Sequence, residues 1–163
     1  MKVIIKAILP AGFSANAVAA GIKKSAKLDL ALFYSEAPAK ASLLSTTNKI
    51  PAAPIQVNNT HLKKSKVFNA IIVNSGNANA FTGIKGLNDA ESMAAGAARA
   101  LGIKKESVFV ASTGIIGRKL KIEKINYALG GLVKGLSKNG VARAKKAIMT
   151  TDKFAKEITV KFN

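Results

Sequence analysis

The residues best suited to chemistry lie between Ser107 and Gly117, where the sequence reads Ser-Val-Phe-Val-Ala-Ser-Thr-Gly-Ile-Ile-Gly. The valines and the phenylalanine are strand formers, and the small residues after them end in Thr113 and Gly114, where a glycine can bend without a Cβ penalty. A strand that turns here leaves a hydroxyl beside a backbone N–H, and two such donors can hold a developing oxyanion. Taken alone, the stretch is more often an ordinary strand-to-loop junction, because short glycine motifs recur by chance.

The composition limits which other chemistry the chain can perform. Its 163 residues form one domain, 1–163, or one piece of a larger one, and 48% hydrophobic residues suffice for a core. Cysteine is absent and His61 is the only histidine, which excludes disulfides and cysteine nucleophiles, and we expect no metal. We predict that His61 lies in a polar loop, 58–66, which argues against a Ser-His-Asp triad.

The sequence gives no sign of a membrane span or a targeting segment. No run approaches the length of a membrane span, and the first residues, Met-Lys-Val-Ile-Ile-Lys, are too short and too interrupted for a signal peptide. We therefore expect a cytoplasmic location.

The net charge is unusually positive. Lysine and arginine total 26 against 8 acidic residues, a formal charge of +18, which indicates an acidic partner such as nucleic acid, an anionic substrate or an acidic subunit. The lysines are spread along the chain, and aromatic residues amount to only 6%, which leaves little for stacking on single strands. A solvated lysine surface is the simpler interpretation. A basic nucleic-acid-binding module stays the alternative, and it predicts affinity that falls steeply with salt.

Hydrophobic patterning predicts mostly strands in the first half and alternating strands and helices in the second. The expected strands are 2–9, 28–34, 42–48, 67–73, 108–110 and 158–162. Three helices are expected, one capped by Asn88 or Asp89 and ending at Leu101, and two at 122–138 and 141–149. Pro10, Gly12 and Asn16 are expected to break the first strand, and 17–24 is open between a short helix and an extended loop. This order fits a layered α/β domain.

The strand at 67–73 is expected to run into a loop, 74–80, that is dense in asparagine and small residues. Asparagine supplies both donors and acceptors and tolerates left-handed backbone. Amides in such a segment usually fix its own backbone. The functional alternative is that they shape a polar pocket.

Six short runs occur in one order over nearly the whole chain. They are Gly12-Phe13 with Ala20-Gly21-Ile22-Lys23; Asp29-Leu30-Ala31-Leu32; Thr46-Thr47-Asn48-Lys49 with Ala52-Ala53-Pro54; Asn74 to Ala80 with Thr82-Gly83; Ala111 to Gly117; and Ala147-Ile148-Met149-Thr150-Thr151-Asp152. Together they resemble the N-terminal, α-chain portion of the ornithine acetyltransferase family, the glutamate N-acetyltransferases of arginine biosynthesis. Phe81 and Ser45 depart from the family pattern.

The resemblance implies a reaction, a fold and a partner. The reaction moves acetyl from N-acetylornithine to glutamate, some members accept acetyl-coenzyme A as donor, and no other cofactor is implied. The fold is a layered α/β sandwich of mixed sheets and helices, similar to the aminopeptidase DmpA. Members are made as a precursor that cleaves itself before a threonine. This threonine then heads a β chain as an N-terminal nucleophile whose own amine is the base.

The resemblance also implies roles for four residues of this chain. The Thr113 hydroxyl and the Gly114 N–H match the family's oxyanion hole, and Thr150, with Thr151 as the alternative, matches a substrate-contacting threonine. No residue of this chain matches the nucleophile, so the chain alone is expected to be inert and to act in a hetero-oligomer. The final strand, 158–162, is expected to lack neighbours and to pair with the missing chain. A peptidase-like relative on the same fold is disfavoured by the runs around Thr113 and Thr150.

Overall fold

A four-stranded sheet forms the centre of the computed structural model, which describes residues 1–24 and 26–162. The elements are β1 (Lys2–Ile4), β2 (Phe13–Val18), β3 (Leu30–Ala39), α1 (Ala53–Lys64), β4 (Phe68–Asn77), α2 (Gly83–Leu101), a 3₁₀ turn (Lys105–Ser107), β5 (Val108–Ile115), α3 (Ile122–Lys134), α4 (Val141–Ile148) and β6 (Thr159–Lys161). The sheet order is β2-β3-β4-β5, with β5 parallel to β4 and the other neighbours antiparallel. The parallel pair requires a crossover connection, which α2 supplies.

Helices cover the two faces of this sheet unequally. Because side chains alternate along a strand, Leu30 and Leu32 of β3 point into the larger core, where buried side chains of α1, α2 and α3 pack against them. Ala31, between them, faces the opposite side, where Ala144 and Ala147 of α4 pack on the sheet. The expected α/β sandwich is confirmed, and the predicted period of two holds from Leu30 to Tyr34. The strand expected at 28–34 begins at Leu30 and runs to Ala39, and Leu28 packs on the opposite face with Ala31.

Asn16 accounts for two corrections, one to the predicted break in the first strand and one to the predicted end of α3. Asn16, expected to break a strand, lies buried inside β2. Its Nδ2 donates to the carbonyl of Leu132 at 2.8 Å, and a Cβ at Gly135 would lie 2.3 Å from the same atom. The amide thus takes a carbonyl near the end of α3, which ends at Lys134 and not at Lys138.

Helix α2 ends where the sequence predicts and begins earlier. Gly102 follows its last residue with a φ of 68°, the left-handed cap expected of glycine. Its first residue is Gly83, so the prediction that Asn88 or Asp89 caps the helix is wrong. Asp89 is buried inside the helix and pairs with Lys85, one turn earlier, at 3.0 Å.

Two predictions fail between 42 and 66. Residues 42–48 form neither strand nor helix, and most of the segment 58–66, expected as a loop, belongs to α1. Pro54 stands in the first turn of this helix, where its missing N–H costs nothing. His61 is therefore a buried helix residue, and its Nδ1 lies 2.8 Å from the Val108 carbonyl.

Helix α1 also protects the outer edge of the sheet. The side chain of Asn58 bonds to both polar groups of the Val110 backbone, accepting from its N–H at 2.8 Å and donating to its carbonyl at 2.9 Å. The amide therefore pairs both polar groups of one residue on the open edge of β5, and α1 covers that edge, which is one way in which proteins protect an exposed strand.

The two chain ends form a separate small ribbon. Strand β6 pairs antiparallel with β1, with Val160 opposite Val3, so the expectation that the final strand lacks a neighbour is wrong. The first strand ends at Ile4 and not at residue 9. Glu157 ties the ribbon to the body, since its carboxylate accepts from the Ala7 N–H at 2.9 Å and from Lys145 Nζ at 2.6 Å.

Candidate functional site

A cleft of about 960 Å³ opens at the carboxyl ends of β4 and β5. It is lined by Ile22, Lys23, Lys24, Lys27, Leu28, Gly76, Asn77, Thr113, Gly114, Ile115, Arg118, Lys121, Lys146, Met149, Thr150, Thr151 and Asp152. All four residues singled out from the sequence, Thr113, Gly114, Thr150 and Thr151, therefore line one cavity. They come from two segments separated by 35 residues of intervening chain, which the fold brings together.

The end of β5 depends on glycine, and the turn predicted at Thr113 and Gly114 comes later, at 116–117, because β5 continues to Ile115. Gly114 has a φ of 130° and lies opposite Gly76 in the parallel register of β4 and β5. A Cβ at Gly114 would lie 2.5 Å from the Gly76 carbonyl carbon, so the two backbones approach more closely than any side chain allows. Thr113, directly before it, is half-buried at the cleft wall. The Thr113 hydroxyl and the Gly114 N–H, the groups expected to form an oxyanion site, therefore lie in the last paired residues of β5, just before this turn.

Asparagine side chains hold the backbone on both sides of this turn. The Asn74 amide accepts from the Ser112 hydroxyl at 2.6 Å and donates to the Asn77 carbonyl at 2.9 Å. The Asn77 amide donates to the carbonyls of Arg118 and Lys119 at 3.1 and 3.0 Å. Both asparagines lie in β4, which continues to Asn77, so the loop expected at 74–80 begins only after that residue. These buried amides fix their own strand and the turn after β5, and Asn77 also lines the cleft.

The opposite wall of the cleft rests on a buried aspartate. Asp29 is fully buried, and its carboxylate accepts from the backbone N–H groups of Ala20, Ile22 and Lys23 at 2.6, 2.7 and 2.9 Å. A carboxylate that accepts several backbone hydrogen bonds orders the loop that wraps around it. The loop leading from β2 to β3 is thereby held against the cleft.

The cleft carries a strong excess of positive charge. Its cationic side chains are those of Lys23, Lys24, Lys27, Arg118, Lys121 and Lys146, and its only carboxylate is that of Asp152. Burial lowers the pKa of Lys23, an effect partly opposed by the nearby charge of Asp29. A hydrogen bond from Lys156 at 2.8 Å, with a weaker one from the Thr150 N–H, lowers the pKa of Asp152. A cavity of this sign attracts carboxylate-bearing ligands.

The basic lining of this cleft is the part of the site that sequence reasoning missed. Along the chain the lysines look evenly spread, and only the fold gathers six cations at one cavity. A partial signal was present, because Lys23 ends one motif run and Lys24 follows it, while Arg118 and Lys121 follow another run. His61, in contrast, does not line the cleft, and within the described chain its Nε2 has no hydrogen-bond partner.

Residues 1–24 and 26–162 contain no group of three or more histidine, cysteine or acidic side chains arranged to hold a metal ion. In the same part of the chain no helix combines the length and apolar character needed to cross a bilayer. Most polar side chains of the cleft are hydroxyl, ammonium and guanidinium groups, which can donate to anionic oxygen, beside the Asn77 amide and the Asp152 carboxylate.

The fold is an α/β sandwich with a basic cleft that Thr113, Gly114, Thr150 and Thr151 line. The particular family follows from comparison with known proteins. The chain belongs to the ArgJ family, whose model matches residues 14–163. The resemblance found in the six sequence runs is thereby confirmed.

Close relatives and solved structures agree with this assignment. The chain is 52% identical over 155 residues to the arginine biosynthesis bifunctional protein ArgJ of Caldanaerobacter subterraneus subsp. tengcongensis, covering 95% of this chain and 38% of the relative. It is 48% identical to that of Gloeobacter violaceus, covering 92% and 37%. The chain thus spans less than two fifths of the length of these curated relatives.

Two crystal structures share the fold. Ornithine acetyltransferase from Mycobacterium tuberculosis, complexed with ornithine, superimposes with a TM-score of 0.90 at 36% identity, over 96% of this chain and 86% of that one. The arginine biosynthesis bifunctional protein ArgJ of Bacillus halodurans gives a TM-score of 0.82 at 36% identity, over 88% and 75%. Because identity exceeds a third over most of each chain, the likeness extends beyond the fold to the family.

Proposed function

We propose that this chain is the α-chain portion of an acetyltransferase that moves acetyl from N-acetylornithine to glutamate, yielding ornithine and N-acetylglutamate. The observation that carries the proposal is the meeting of Thr113, Gly114, Thr150 and Thr151 in one basic cleft of an ArgJ-family chain. The ornithine acetyltransferase from M. tuberculosis, which shares this fold, is a protein whose crystals contain ornithine.

In the proposed mechanism this chain stabilises charge and a second chain supplies the nucleophile. A threonine hydroxyl from the β chain attacks the acetyl carbonyl of N-acetylornithine, and its proton passes through the threonine's own amine to the departing ornithine nitrogen. The negative charge that develops on the carbonyl oxygen is held by the Thr113 hydroxyl and the Gly114 N–H. The glutamate amine then attacks the acetyl ester, and the threonine hydroxyl is restored.

The charge of the cleft suits the carboxylates of the proposed substrates. Glutamate carries two carboxylates, which the six cations that line the cavity attract. N-acetylornithine carries one carboxylate and a side-chain ammonium group, so the cations attract only its carboxylate end. Thr150 or Thr151 contacts the substrate in this proposal, since a hydroxyl can donate to a carboxylate or accept from an amine. The mechanism requires no metal and no cofactor, and acetyl-coenzyme A is an alternative acetyl donor to assay.

The lengths of the relatives support a two-chain enzyme. This chain covers 86% of the M. tuberculosis ornithine acetyltransferase chain but only 38% of the Caldanaerobacter protein. A crystal-structure chain of the family is therefore far shorter than a full-length curated relative. We propose accordingly that the chain works in a hetero-oligomer with a self-processed β chain, that it is inert alone, and that it acts in the cytoplasm.

The test is a chimaera in which residues 1–163 replace the corresponding part of the Caldanaerobacter relative. Release of ornithine from N-acetylornithine and glutamate is measured for the chimaera, for the parental relative and for residues 1–163 alone. We expect transfer by the first two and none by the third. A correctly folded chimaera without transfer, beside an active parent, would contradict the proposal. The nucleic-acid alternative gains no support from the family assignment.

A further inference from the structure

The ammonium group of Lys23 lies at the junction of three backbone segments. Its Nζ donates to the carbonyls of Leu28, Ala147 and Met149 at 3.2, 3.3 and 2.8 Å. A lysine has three N–H donors and no acceptor, so these contacts occupy its whole donor capacity. Partial burial lowers the pKa of this group, and the nearby charge of Asp29 opposes the effect.

Two of these carbonyls belong to the segment that leads into the substrate threonines. Ala147 lies near the C-terminal end of α4, where carbonyls carry negative partial charge and favour a cation. Met149 directly precedes Thr150, and the buried Ser75 hydroxyl donates to the same Ala147 carbonyl. The position of Thr150 is thus set by the chain that Lys23 holds.

The stem of Lys23 lies over β4 beside Gly114. Its backbone N–H donates to Asp29 at 2.9 Å, which fixes where the side chain begins. A Cβ at Gly76 would lie 3.0 Å from Lys23 Cγ, so the stem of the lysine passes over the residue that pairs with Gly114. One side chain therefore reaches from Gly76, the strand partner of Gly114, to the carbonyls that precede Thr150.

We propose that Lys23 is a positioning residue whose ammonium group holds Thr150 and Thr151 at a set place relative to Thr113 and Gly114 at the end of β5. Its role in this proposal is anchorage, in addition to the charge that it shares with the other cations of the cleft. The kinetic part rests on the proposed acetyl transfer, while the anchorage itself does not. Lys24 offers a matched control, because it lines the same cleft with the same charge and its side chain is exposed.

The experiment compares Lys23→Met with Lys24→Met in the full-length chimaera. We expect Lys23→Met to raise KM for both amino-acid substrates about tenfold, the scale of lost hydrogen bonds to a charged group, and to change kcat much less. Lys24→Met should raise KM only about twofold, through weaker attraction alone. Hydrogen exchange at the amides of Thr150 and Thr151 should accelerate in Lys23→Met and not in Lys24→Met.

The outcomes separate the two proposals. Equal KM increases in the two variants, or unchanged exchange at Thr150 and Thr151 in Lys23→Met, would overturn the positioning role. Should Lys23→Met fail to fold, Ser75→Ala removes the second bond to the Ala147 carbonyl without altering charge, and wild-type KM and exchange in that variant would overturn it as well. A chimaera without transfer that shows accelerated exchange only in Lys23→Met would contradict the proposed function and support the anchorage.

Discussion

The wall of the cleft and the terminal ribbon are built on opposite principles. At the wall, the backbone of β4 and β5 is fixed by buried amides of Asn74 and Asn77 and by a glycine contact that admits no side chain. The ribbon of β1 and β6 is mostly exposed and is tied to the body through few groups, chiefly Glu157. The backbone is therefore fixed by several independent contacts around Thr113 and Gly114, the proposed oxyanion donors. A fixed donor geometry is what preorganised catalysis requires.

Replacing Gly114 by alanine should give the largest effect on stability. Its Cβ would lie 2.5 Å from backbone atoms that cannot move aside, and its φ of 130° is strained for any other residue. We expect a loss of about 3 kcal/mol or more in the free energy of unfolding, measured by denaturant titration of the full-length chimaera. Gly117→Ala is the control, because its φ is also positive while open space surrounds its Cβ. Equal losses would mean that strain, and not the close approach, sets the cost.

Thr113→Ala should lower kcat about 100- to 1,000-fold, the usual effect of removing one oxyanion donor, with little change in stability. Thr159→Ala makes the same chemical change in the ribbon. It removes a hydroxyl that donates to the Lys6 carbonyl at 2.6 Å, and turnover should stay near the wild-type value. Steady-state assays of both variants sharpen the contrast between the two regions, and unchanged turnover in Thr113→Ala would remove this residue from the mechanism.

Thr150→Ala should raise KM for the ornithine-containing substrate about tenfold with a smaller change in kcat, because one hydrogen bond to a charged substrate is lost. Thr151→Ala is the matched variant, since both residues line the cleft and are exposed. The residue with the larger effect on KM is the substrate contact. Wild-type KM in both variants would count against a binding role for this pair.

Lowering the pH should weaken the contacts of Glu157 that tie the terminal ribbon to the body before it changes the structure of the cleft. The hydrogen bond from Lys145, supported by the Ala7 N–H, lowers the pKa of Glu157. A glutamate with a depressed folded-state pKa stabilises the fold above its unfolded pKa, about 4.3, and that contribution is lost as pH falls through the lower folded value.

We expect hydrogen exchange at the Ala7 amide to accelerate over this acidic range, relative to its intrinsic rate, while amides of β4 stay protected. Glu157→Gln should weaken the ribbon at neutral pH and flatten the pH dependence. This is the smallest expected effect, because the carboxylate lies at the surface of the protein. Equal acid sensitivity in wild type and Glu157→Gln would assign the release to other carboxylates.

Several elements were predictable because their signal is local. The period of two in β3, the glycine after α2 and the strand formers before Thr113 all act through neighbouring residues, and the structure confirms each. Helix α1 was not predicted because its buried face shows little apolar periodicity. That face consists of Ala53, Pro54, Val57 and His61. Its contacts with β5, through Asn58 and His61, come from residues some fifty positions away and leave no local pattern.

By itself, the sequence determined the family, the layered class of fold and the four residues to examine at the cleft. The tertiary structure alone shows that these four residues, Thr113, Gly114, Thr150 and Thr151, line one cavity. It also shows that six cations from distant parts of the chain line the same cavity. The physical reason is the separation along the sequence between the residues that make each contact. Strand alternation and glycine turns are set by bonds between near neighbours, whereas the cleft depends on contacts such as that of Lys23 with Met149, across more than 120 residues of chain.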